Sequence, residues 1–290
     1  MTVWGEGFSV DIAVVVKALE EFQEITLTRP IVTLTTDYGN SDHLVGAMKG
    51  VILGINPEAE VVDITHQVLA FDLLDGAMAI GLAYKYFPPK TIHLVVVDPG
   101  VGTPRRPILV RGDNHFFVAP DNGVLSMVYE KQSILTAWHI TAEHYFLQPV
   151  SNTFHGRDIF APVAAWLSKA YQFNAFGEEI TDIVKLSIPK PKVDGTAIKG
   201  MVLKVDNFGN LITNITAEDA PVLVAADGKF KIRVGKGEVS RVVTSFAAGG
   251  SGEMFGIIGS SGSLEISTNK GNAARGLGAN RGSEVVVEVG

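Results

Sequence analysis

Cysteine is absent from the 290-residue sequence. Its absence excludes disulfide bonds, thiolate metal ligands and cysteine nucleophiles, and it leaves the redox compartment undetermined. The sequence also has no run of lysine and arginine, and its formal net charge is -7. Because proteins that follow nucleic-acid phosphates depend on clustered cations, this charge disfavours a nucleic-acid partner and favours a small ligand.

Long apolar runs are also missing. No stretch reaches the roughly 18 apolar residues of a membrane helix, and the N-terminus has no basic region followed by an apolar run. We therefore expect a cytoplasmic protein without a membrane partner. With 46% hydrophobic and 19% charged residues, the chain can bury a sizeable core without disulfides or a structural metal.

The first part of the chain alternates apolar runs with helical stretches, which predicts an α/β domain with a mainly parallel sheet. Strands are predicted at Ile31–Thr36, Glu60–Ile64 and Ile92–Val97, and helices at Asp42–Leu53 and Asp72–Tyr84. Residues 9–24 have helical spacing and predict an amphipathic helix before the first strand. We expect residues 1–30 to form a helical extension and residues 31–190 to form the α/β domain.

The second part of the chain has closely spaced short apolar runs with turn residues between them. A linker is predicted at Ile188–Gly195, which contains two prolines and a glycine. Strands are predicted at Met201–Val205, Leu211–Ile215, Phe230–Val234, Val242–Thr244, Phe255–Ile258, Leu264–Ser267 and Val285–Val289. This pattern favours a small β-barrel or sandwich over residues 191–290.

Polar segments follow two of the predicted strands, where ligands of parallel sheets usually bind. Asp37 follows the first strand, either as a ligand for sugar hydroxyls or as a turn or cap residue. The run from Asp98 to Arg106 follows another strand, and its glycines and prolines fix an irregular backbone that lets Asp98 and Arg105 converge. A structural salt bridge explains that pair equally well. Neither a phosphate-binding loop nor a dinucleotide glycine fingerprint is present.

Further polar segments have both a structural and a functional interpretation. His155 lies in a predicted loop before a helix and either faces a ligand or has a structural role, while Arg157 is expected in an ion pair and Asp158 as a helix cap. The segment Asp206–Asn210 is either a tight hairpin or a binding loop. The turn Gly259–Ser263 is either a flexible hairpin or a donor of hydroxyls and amides to a carboxylate.

Six motifs in order resemble one known family. They are Thr35–Gly39 (TTDYG), Asp63–His66 (DITH), Asp98–Thr103 (DPGVGT), Ala119–Gly123 (APDNG), Phe154–Asp158 (FHGRD) and Phe208–Asn210 (FGN). From about residue 31 to the C-terminus the chain is similar to the S-adenosyl-L-methionine (SAM) hydroxide adenosyltransferases, relatives of the bacterial fluorinase and chlorinase.

The resemblance implies hydrolysis of SAM to adenosine and L-methionine, without a metal or other cofactor. It also implies an N-terminal α/β domain, a C-terminal β-barrel and a homotrimer with active sites between subunits. One chain would supply Asp37, Asp98, Arg105 and His155, and its neighbour Asn210, Phe246 and Ser260.

The resemblance also implies roles for individual residues. Asp98, Arg105 and His155 match the catalytic group that handles the water. The substrate-binding set comprises Asp37 for the ribose, Asn210 for adenine, Phe246 stacking on the base, Ser260 for the methionine carboxylate, Asp42 and Asp206 for the ammonium group, Phe71 and Phe154 as pocket walls, with Phe208 and Asn269 completing it.

Three positions depart from related patterns. Gly156 replaces a halide-binding serine of the fluorinase, and Asp98 replaces a tyrosine-like position, so the resemblance favours hydrolysis over halide transfer. Ser261 replaces an arginine near the methionine carboxylate, which weakens the prediction for that end of the substrate.

Several alternatives stay open at the level of sequence. They are halide-dependent adenosyl transfer, a non-catalytic adenosine or SAM binding protein, and metal-assisted hydrolysis using Asp37, His66, Asp98 and His155. Arg105 stays protonated at any relevant pH, so the base is either Asp98 or His155.

Overall fold

The computed structural model describes residues 29–170, 172–225 and 228–290. The helix predicted at residues 9–24 lies outside the described residues. The chain divides into two compact units between Val184 and Lys185. In the described part of the chain, no helix has the length and apolar character needed to cross a membrane.

The first unit is built on a seven-stranded sheet. Its strands are β1 (Ile31–Thr36), β2 (Glu60–Thr65), β3 (Ile92–Val96), β4 (Pro107–Arg111), β5 (Phe116–Pro120), β6 (Thr136–Ile140) and β7 (Gly177–Ile180). They lie in the order β2-β1-β3-β5-β4-β6-β7.

The sheet is mixed rather than mainly parallel. The ladders from β2 through β1 and β3 to β5 are parallel, and those from β5 through β4 and β6 to β7 are antiparallel. Only the parallel half contains the strand and helix alternation seen in the sequence. The loop between β4 and β5 is too short for the crossover that a parallel connection requires.

Helices cover both faces of this sheet, which explains the apolar run Leu94–Val96 in β3. They are α1 (Leu44–Ile55), α2 (Leu73–Ala83), α3 (Ser126–Tyr129) and α4 (Ala161–Ser168). Leu94 of β3 belongs to the same buried cluster as Met48 of α1, whereas Val95 belongs to the cluster of Ile80 of α2. Burial on both faces favours apolar residues at every strand position.

The second unit is a curled sheet around its own core. Its elements are β8 (Lys192–Asp194), β9 (Ala197–Val205), β10 (Leu211–Thr216), β11 (Phe230–Val234), β12 (Gly237–Val239), β13 (Val242–Val243), β14 (Met254–Ile258), β15 (Ser263–Thr268), α5 (Ala273–Leu277) and β16 (Glu284–Val289). The strand order is β12-β11-β16-β9-β10-β15-β14-β13, with β8 beside β9. Among the described strands no ladder joins β12 to β13, so the structure has the predicted β-rich unit but not a closed barrel.

Part of the predicted linker is a strand. Lys192–Asp194 form β8, which pairs with β9 through a hairpin that turns at Gly195 with a φ of 61°. The linker prediction is therefore wrong for these three residues. A strand this short carries too few alternating residues to produce a periodicity signal.

Candidate active site

The loop after β3 is held in a fixed shape by its own backbone. The amide of Thr103 donates to the carbonyl of Gly100 at 3.1 Å, and the Thr103 hydroxyl donates to the same oxygen at 2.6 Å. Gly102 has a φ of 77°, and a side-chain carbon there would collide with the carbonyl oxygen of Asn152. Only glycine allows this approach, which brings the loop against the segment leading to His155.

Arg105 joins Asp98 to His155. Its Nε and Nη2 atoms donate to Asp98 Oδ2 at 2.8 and 2.5 Å, and Nη2 also donates to His155 Nδ1 at 2.6 Å. The Arg105 side chain is 10% exposed and that of Asp98 5%. The structure therefore brings the three residues together in a largely buried group, in which the Asp98–Arg105 salt bridge is one part.

The imidazole of His155 is neutral in this arrangement. Burial lowers its pKa first, and the adjacent Arg105 charge lowers it further, while Asp98 and Asp158 act in the opposite direction. Because Nδ1 faces a guanidinium donor, Nδ1 must be an acceptor, and the hydrogen-bond network assigns the ring proton to Nε2. His155 thus presents an N–H group rather than a free lone pair at Nε2.

The second carboxylate oxygen of Asp98, Oδ1, is a buried hydrogen-bond acceptor without a partner among the described residues. An unpaired buried acceptor costs about 1–3 kcal/mol, so this oxygen marks a place where a ligand donor would be stabilised. The Arg105 guanidinium also lies over the Phe160 ring, 5.2 Å from its centre, a cation–π contact that stabilises the cation.

Asp37 lies directly after β1 and binds the chain at Phe71. Its Oδ2 atom accepts the Phe71 amide at 2.9 Å. Burial raises the Asp37 pKa, the Phe71 hydrogen bond lowers it, and the Asp98 charge raises it, so the two carboxylates share one electrostatic environment. Phe71 has a φ of 65° and is 71% exposed. A left-handed backbone is uncommon for such a residue and occurs often at ligand sites.

Tyr38 belongs to this group although the sequence interpretation gave it no role. Its ring packs edge-on against buried Phe154 with the centroids 6.0 Å apart. A Cβ atom placed on Gly156 would lie 2.6 Å from the Tyr38 hydroxyl. In the sequence, the signal was an aromatic residue directly after Asp37. Where its side chain lies could not be predicted without the fold.

The helical turn that follows His155 corrects one prediction. Gly156–Phe160 form a π-helical turn that runs into α4. Asp158 is not a helix cap, because its Oδ2 accepts the Ser151 amide at 2.8 Å. Arg157 forms the predicted ion pair with it at 2.6 Å. Asp158 is fully buried and holds the loop that precedes His155.

Asp42 stands apart from these contacts. It is exposed in the segment before α1, and the structure joins it to none of the other predicted site residues.

In the second unit, Asp206 organises the loop between β9 and β10. Its Oδ1 accepts the amides of Phe208 at 2.9 Å and Asn210 at 2.8 Å, and its Oδ2 accepts the Asn210 side-chain amide at 2.8 Å. The carboxylate therefore orients buried Asn210 and leaves the Phe208 ring 73% exposed. Gly209, with a φ of 88°, makes the tight turn.

The remaining predicted residues of this unit lie in other loops. Phe246 is 46% exposed and packs against Phe255 at a centroid distance of 6.5 Å. Asn269 donates to the Gly249 carbonyl at 3.0 Å. Ser260 is exposed in the turn between β14 and β15, and the β10–β15 ladder places it at the opposite end from Asn210.

The described residues offer no cluster of side chains for a metal ion. Residues 29–170, 172–225 and 228–290 contain no group of three or more His, Asp or Glu side chains able to hold an ion. His66 uses its ring nitrogens elsewhere: Nδ1 lies 2.9 Å from the Thr36 hydroxyl, and Nε2 lies 3.0 Å from Asp63 Oδ1.

Several proteins that are similar to this chain are named (R)-S-adenosyl-L-methionine hydrolase or fluorinase. The chain is 36% identical over 272 residues to a (R)-S-adenosyl-L-methionine hydrolase of Salinispora tropica, covering 90% of this chain and 98% of the relative. A protein of the same name from Methanocaldococcus jannaschii is 35% identical over 267 residues, covering 89% and 95%. A fluorinase of Nocardia brasiliensis matches at 26% identity over 90% of this chain and 98% of the relative.

A solved structure and two family models agree with these similarities. The crystal structure of an uncharacterized conserved protein from Thermotoga maritima matches with a TM-score of 0.82 and 39% identity, covering 89% of this chain and 99% of that one. The SAM hydroxide adenosyltransferase N-terminal domain model matches residues 32–177, and the C-terminal domain model matches residues 200–286. The chain therefore belongs to the SAM hydroxide adenosyltransferase family.

Proposed function

We propose that this protein hydrolyses SAM to adenosine and L-methionine. The observation that carries the proposal is the group in which Arg105 binds both Asp98 and His155 beside the unpartnered Asp98 Oδ1. A buried acceptor next to a fixed cation suits a water molecule that must lose a proton as it attacks.

The reaction needs little from the protein except a well-placed oxygen nucleophile. The oxygen of water forms a bond to ribose C5', and the C5'–S bond breaks with its electron pair going to sulfur. The positive sulfonium thereby becomes the neutral thioether of methionine. Holding the water in line with the C5'–S bond and away from bulk solvent is the main catalytic task.

Asp98 Oδ1 is the proposed proton acceptor. The Nδ1 lone pair of His155 is used by Arg105, so the imidazole accepts no proton while that hydrogen bond is held. Its Nε2–H group instead orients the water. Arg105 remains protonated and stabilises the negative charge that develops on the attacking oxygen.

The substrate-binding roles are part of the same proposal. Asp37 has one oxygen on Phe71 and offers the other to the ribose hydroxyls, while Phe71 and Phe154 enclose the reacting carbon. The remaining members are Asn210 for adenine, Phe246 and Phe208 as rings, Ser260 and Asn269 for polar contacts, and Asp42 and Asp206 for the ammonium group. In the proposed homotrimer, a neighbouring chain supplies the residues of the second unit.

Asp206 has limited capacity for the ammonium role. Three donors from its own loop already occupy its oxygens, which leaves about one of the roughly four lone-pair sites of a carboxylate. Its larger contribution is to hold the Asn210 amide in one orientation, which suits the recognition of adenine.

Halide transfer is the competing reaction. A side chain at position 156 would meet the Tyr38 hydroxyl at 2.6 Å and Met48 Sδ at 3.2 Å. The geometry therefore disfavours the serine that the halogenating relatives are expected to have there, and the charged Asp98 opposes a second anion.

The proposal is tested by incubating the protein with SAM in chloride buffer and quantifying adenosine, methionine and chlorodeoxyadenosine. Adenosine and methionine in equal amounts are expected, with turnover unaffected by a chelator. Chlorodeoxyadenosine would instead support halide transfer, and tight binding without any product would support a binding protein.

A matched pair of variants connects the activity to the site. Asp98→Asn is expected to lower turnover by about 100-fold or more, whereas Asp113→Asn should leave it unchanged. Asp113 is an exposed carboxylate in the β4–β5 hairpin. Because β5 is parallel to β3, this hairpin lies at the amino ends of the parallel strands, whereas Asp98 follows the carboxyl end of β3. Equal activity in the two variants would contradict the assignment of Asp98.

A further inference from the structure

The Tyr38 hydroxyl lies beside Gly156, next to the candidate catalytic group. Tyr38 follows β1, next to Asp37, and its amide lies 3.3 Å from the Thr36 hydroxyl as donor. The ring packs against Phe154, and the hydroxyl lies so close to Gly156 that a Cβ atom there would be 2.6 Å away. The hydroxyl is therefore fixed beside the residue that follows His155.

Among the described residues this hydroxyl forms no hydrogen bond to protein, and it is not one of the fully buried side-chain atoms without a partner, so a water molecule can reach it. A tyrosine hydroxyl in a half-buried site usually bonds to protein or to water, and this one, without a protein partner there, is available to a water molecule. Asp98 Oδ1 also lacks a protein partner in the described part of the chain, and the charge of Asp98 raises the pKa of the Tyr38 phenol, so the two groups belong to one site.

The electrostatic surroundings of Tyr38 are those of the reaction site. Burial raises its pKa, and the charges of Asp37 and Asp98 raise it further, while Arg105 lowers it. The phenol therefore stays protonated at every relevant pH, and it acts as a permanent O–H donor with an acceptor oxygen of its own.

We propose that Tyr38 is a further positioning residue, whose hydroxyl hydrogen-bonds the attacking water in the space beside Gly156. The inference rests on the proposed hydrolysis and adds a fourth group to it. Asp98 Oδ1 would accept one proton of the water, and the Tyr38 oxygen would accept a hydrogen bond from its other O–H and limit where it sits. His155 Nε2–H would then occupy one lone pair of the water, and the second lone pair would stay free to attack C5'. A glycine at position 156 is then required, because a side chain there would displace the hydroxyl.

The first test is Tyr38→Phe, which keeps the ring packing and removes only the hydroxyl. One lost hydrogen bond predicts a fall in kcat of about tenfold, with KM for SAM and the affinity for adenosine within about twofold of the original. Tyr86→Phe is the control, since Tyr86 is 73% exposed and its variant should match the original protein. An unchanged kcat in Tyr38→Phe, or a loss confined to KM, would overturn the proposal.

The second test is a double-mutant cycle with Gly156→Ala. In the original protein the new methyl group collides with the Tyr38 hydroxyl, so kcat should fall by about tenfold or more. In the Tyr38→Phe background the collision with the hydroxyl is absent and only the milder approach to Met48 Sδ at 3.2 Å remains, so the same substitution should cost much less. If the fold losses in kcat of the two single variants simply multiply in the double variant, the proposal is overturned. If Gly156→Ala does not fold, the kcat and KM of Tyr38→Phe decide the outcome.

The outcomes separate this proposal from the function on which it rests. A wild-type protein that forms no adenosine from SAM would overturn both. A wild-type protein that turns over normally, together with a Tyr38→Phe variant of equal kcat, would overturn only the role of Tyr38.

Discussion

Nη2 of Arg105 donates a hydrogen bond to Nδ1 of His155 at 2.6 Å. This contact fixes the state of the imidazole, because a ring nitrogen that faces a guanidinium must offer its lone pair. The same guanidinium also binds Asp98. Arg105 therefore sets both the protonation state of the histidine and the orientation of the carboxylate, and a loss of Arg105 should affect both Asp98 and His155.

Variants of the adjacent residues Arg105 and Arg106 should differ in their effects: one should lower the rate of catalysis and the other the stability of the fold. Arg105→Met should lower kcat by about 100-fold or more, since the developing charge on the oxygen loses its cation. Arg106 instead binds Asp121 at 2.6 Å and Asp182 at 2.8 Å. Arg106→Met should lower the free energy of unfolding by about 1–3 kcal/mol, because it leaves buried Asp121 short of donors, and should keep kcat. Steady-state kinetics and urea unfolding of both variants check this, and equal kinetic losses would contradict it.

The pH dependence of turnover should follow the neutral state of His155. Its pKa lies below the ordinary 6.5, so the ring is neutral at pH 6.5 and above and becomes charged only as the pH falls further. Activity should therefore be lost on an acid limb below pH 6.5, where an imidazolium would oppose Arg105. The pH profile of kcat measures this, and an acid limb above pH 6.5 would contradict a neutral His155.

Two glycines with positive φ angles provide a matched comparison. Gly102 has a φ of 77° and a side chain there would collide with Asn152, whereas Gly195 has a φ of 61° and open space around it. Both alanine variants should lose about 1–2 kcal/mol through backbone strain. Gly102→Ala should lose more and should also lower kcat, since its loop carries Asp98 and Arg105. Unfolding midpoints and kcat that are equal in the two variants would disprove this role of the loop.

Buried His93 should make the first unit sensitive to acid. It lies 2.7 Å from the Thr33 hydroxyl and 3.2 Å from His115, and burial, followed by the charge of His115, lowers its pKa to about 3. The unfolded chain, with a pKa of about 6.5, binds the proton more readily. Stability is therefore fully present above about pH 6.5 and decreases towards pH 3, by at most about 1.4 kcal/mol per pH unit from this group.

Urea unfolding at several pH values measures this effect. His93→Gln cannot titrate, so its stability should change less between pH 6.5 and 4 than that of the original protein, even if its stability at neutral pH is lower. An identical pH dependence in the two proteins would show that His93 is not responsible.

The sequence predicted the parallel half of the first sheet well, because strand and helix periodicities differ there. Strand β1 was predicted with its observed bounds, and α2 to within a residue at each end. The antiparallel half was not predicted, since hairpins such as β4–β5 carry no helical stretch to mark them. The short strand β8 was missed for lack of periodicity.

The site was predictable in residue identity but not in geometry. The glycines and prolines after β3 indicated that Asp98 and Arg105 converge, and their motif resemblance added His155. The π-helical turn at Gly156–Phe160 and the role of Asp158 depend on contacts with a loop seven residues earlier in the chain. The position of Tyr38 against Gly156 follows from the packing of α4 against β1, which no local pattern encodes.

The measurement that tests the central claim most directly is a single-turnover reaction in water labelled with heavy oxygen. Attack of water at C5' predicts adenosine that carries the label in its 5'-hydroxyl group, together with unlabelled methionine, and a strongly reduced yield from Asp98→Asn. Unlabelled adenosine, or methylthioadenosine with a labelled amino acid, would place the bond cleavage elsewhere and contradict the proposed mechanism.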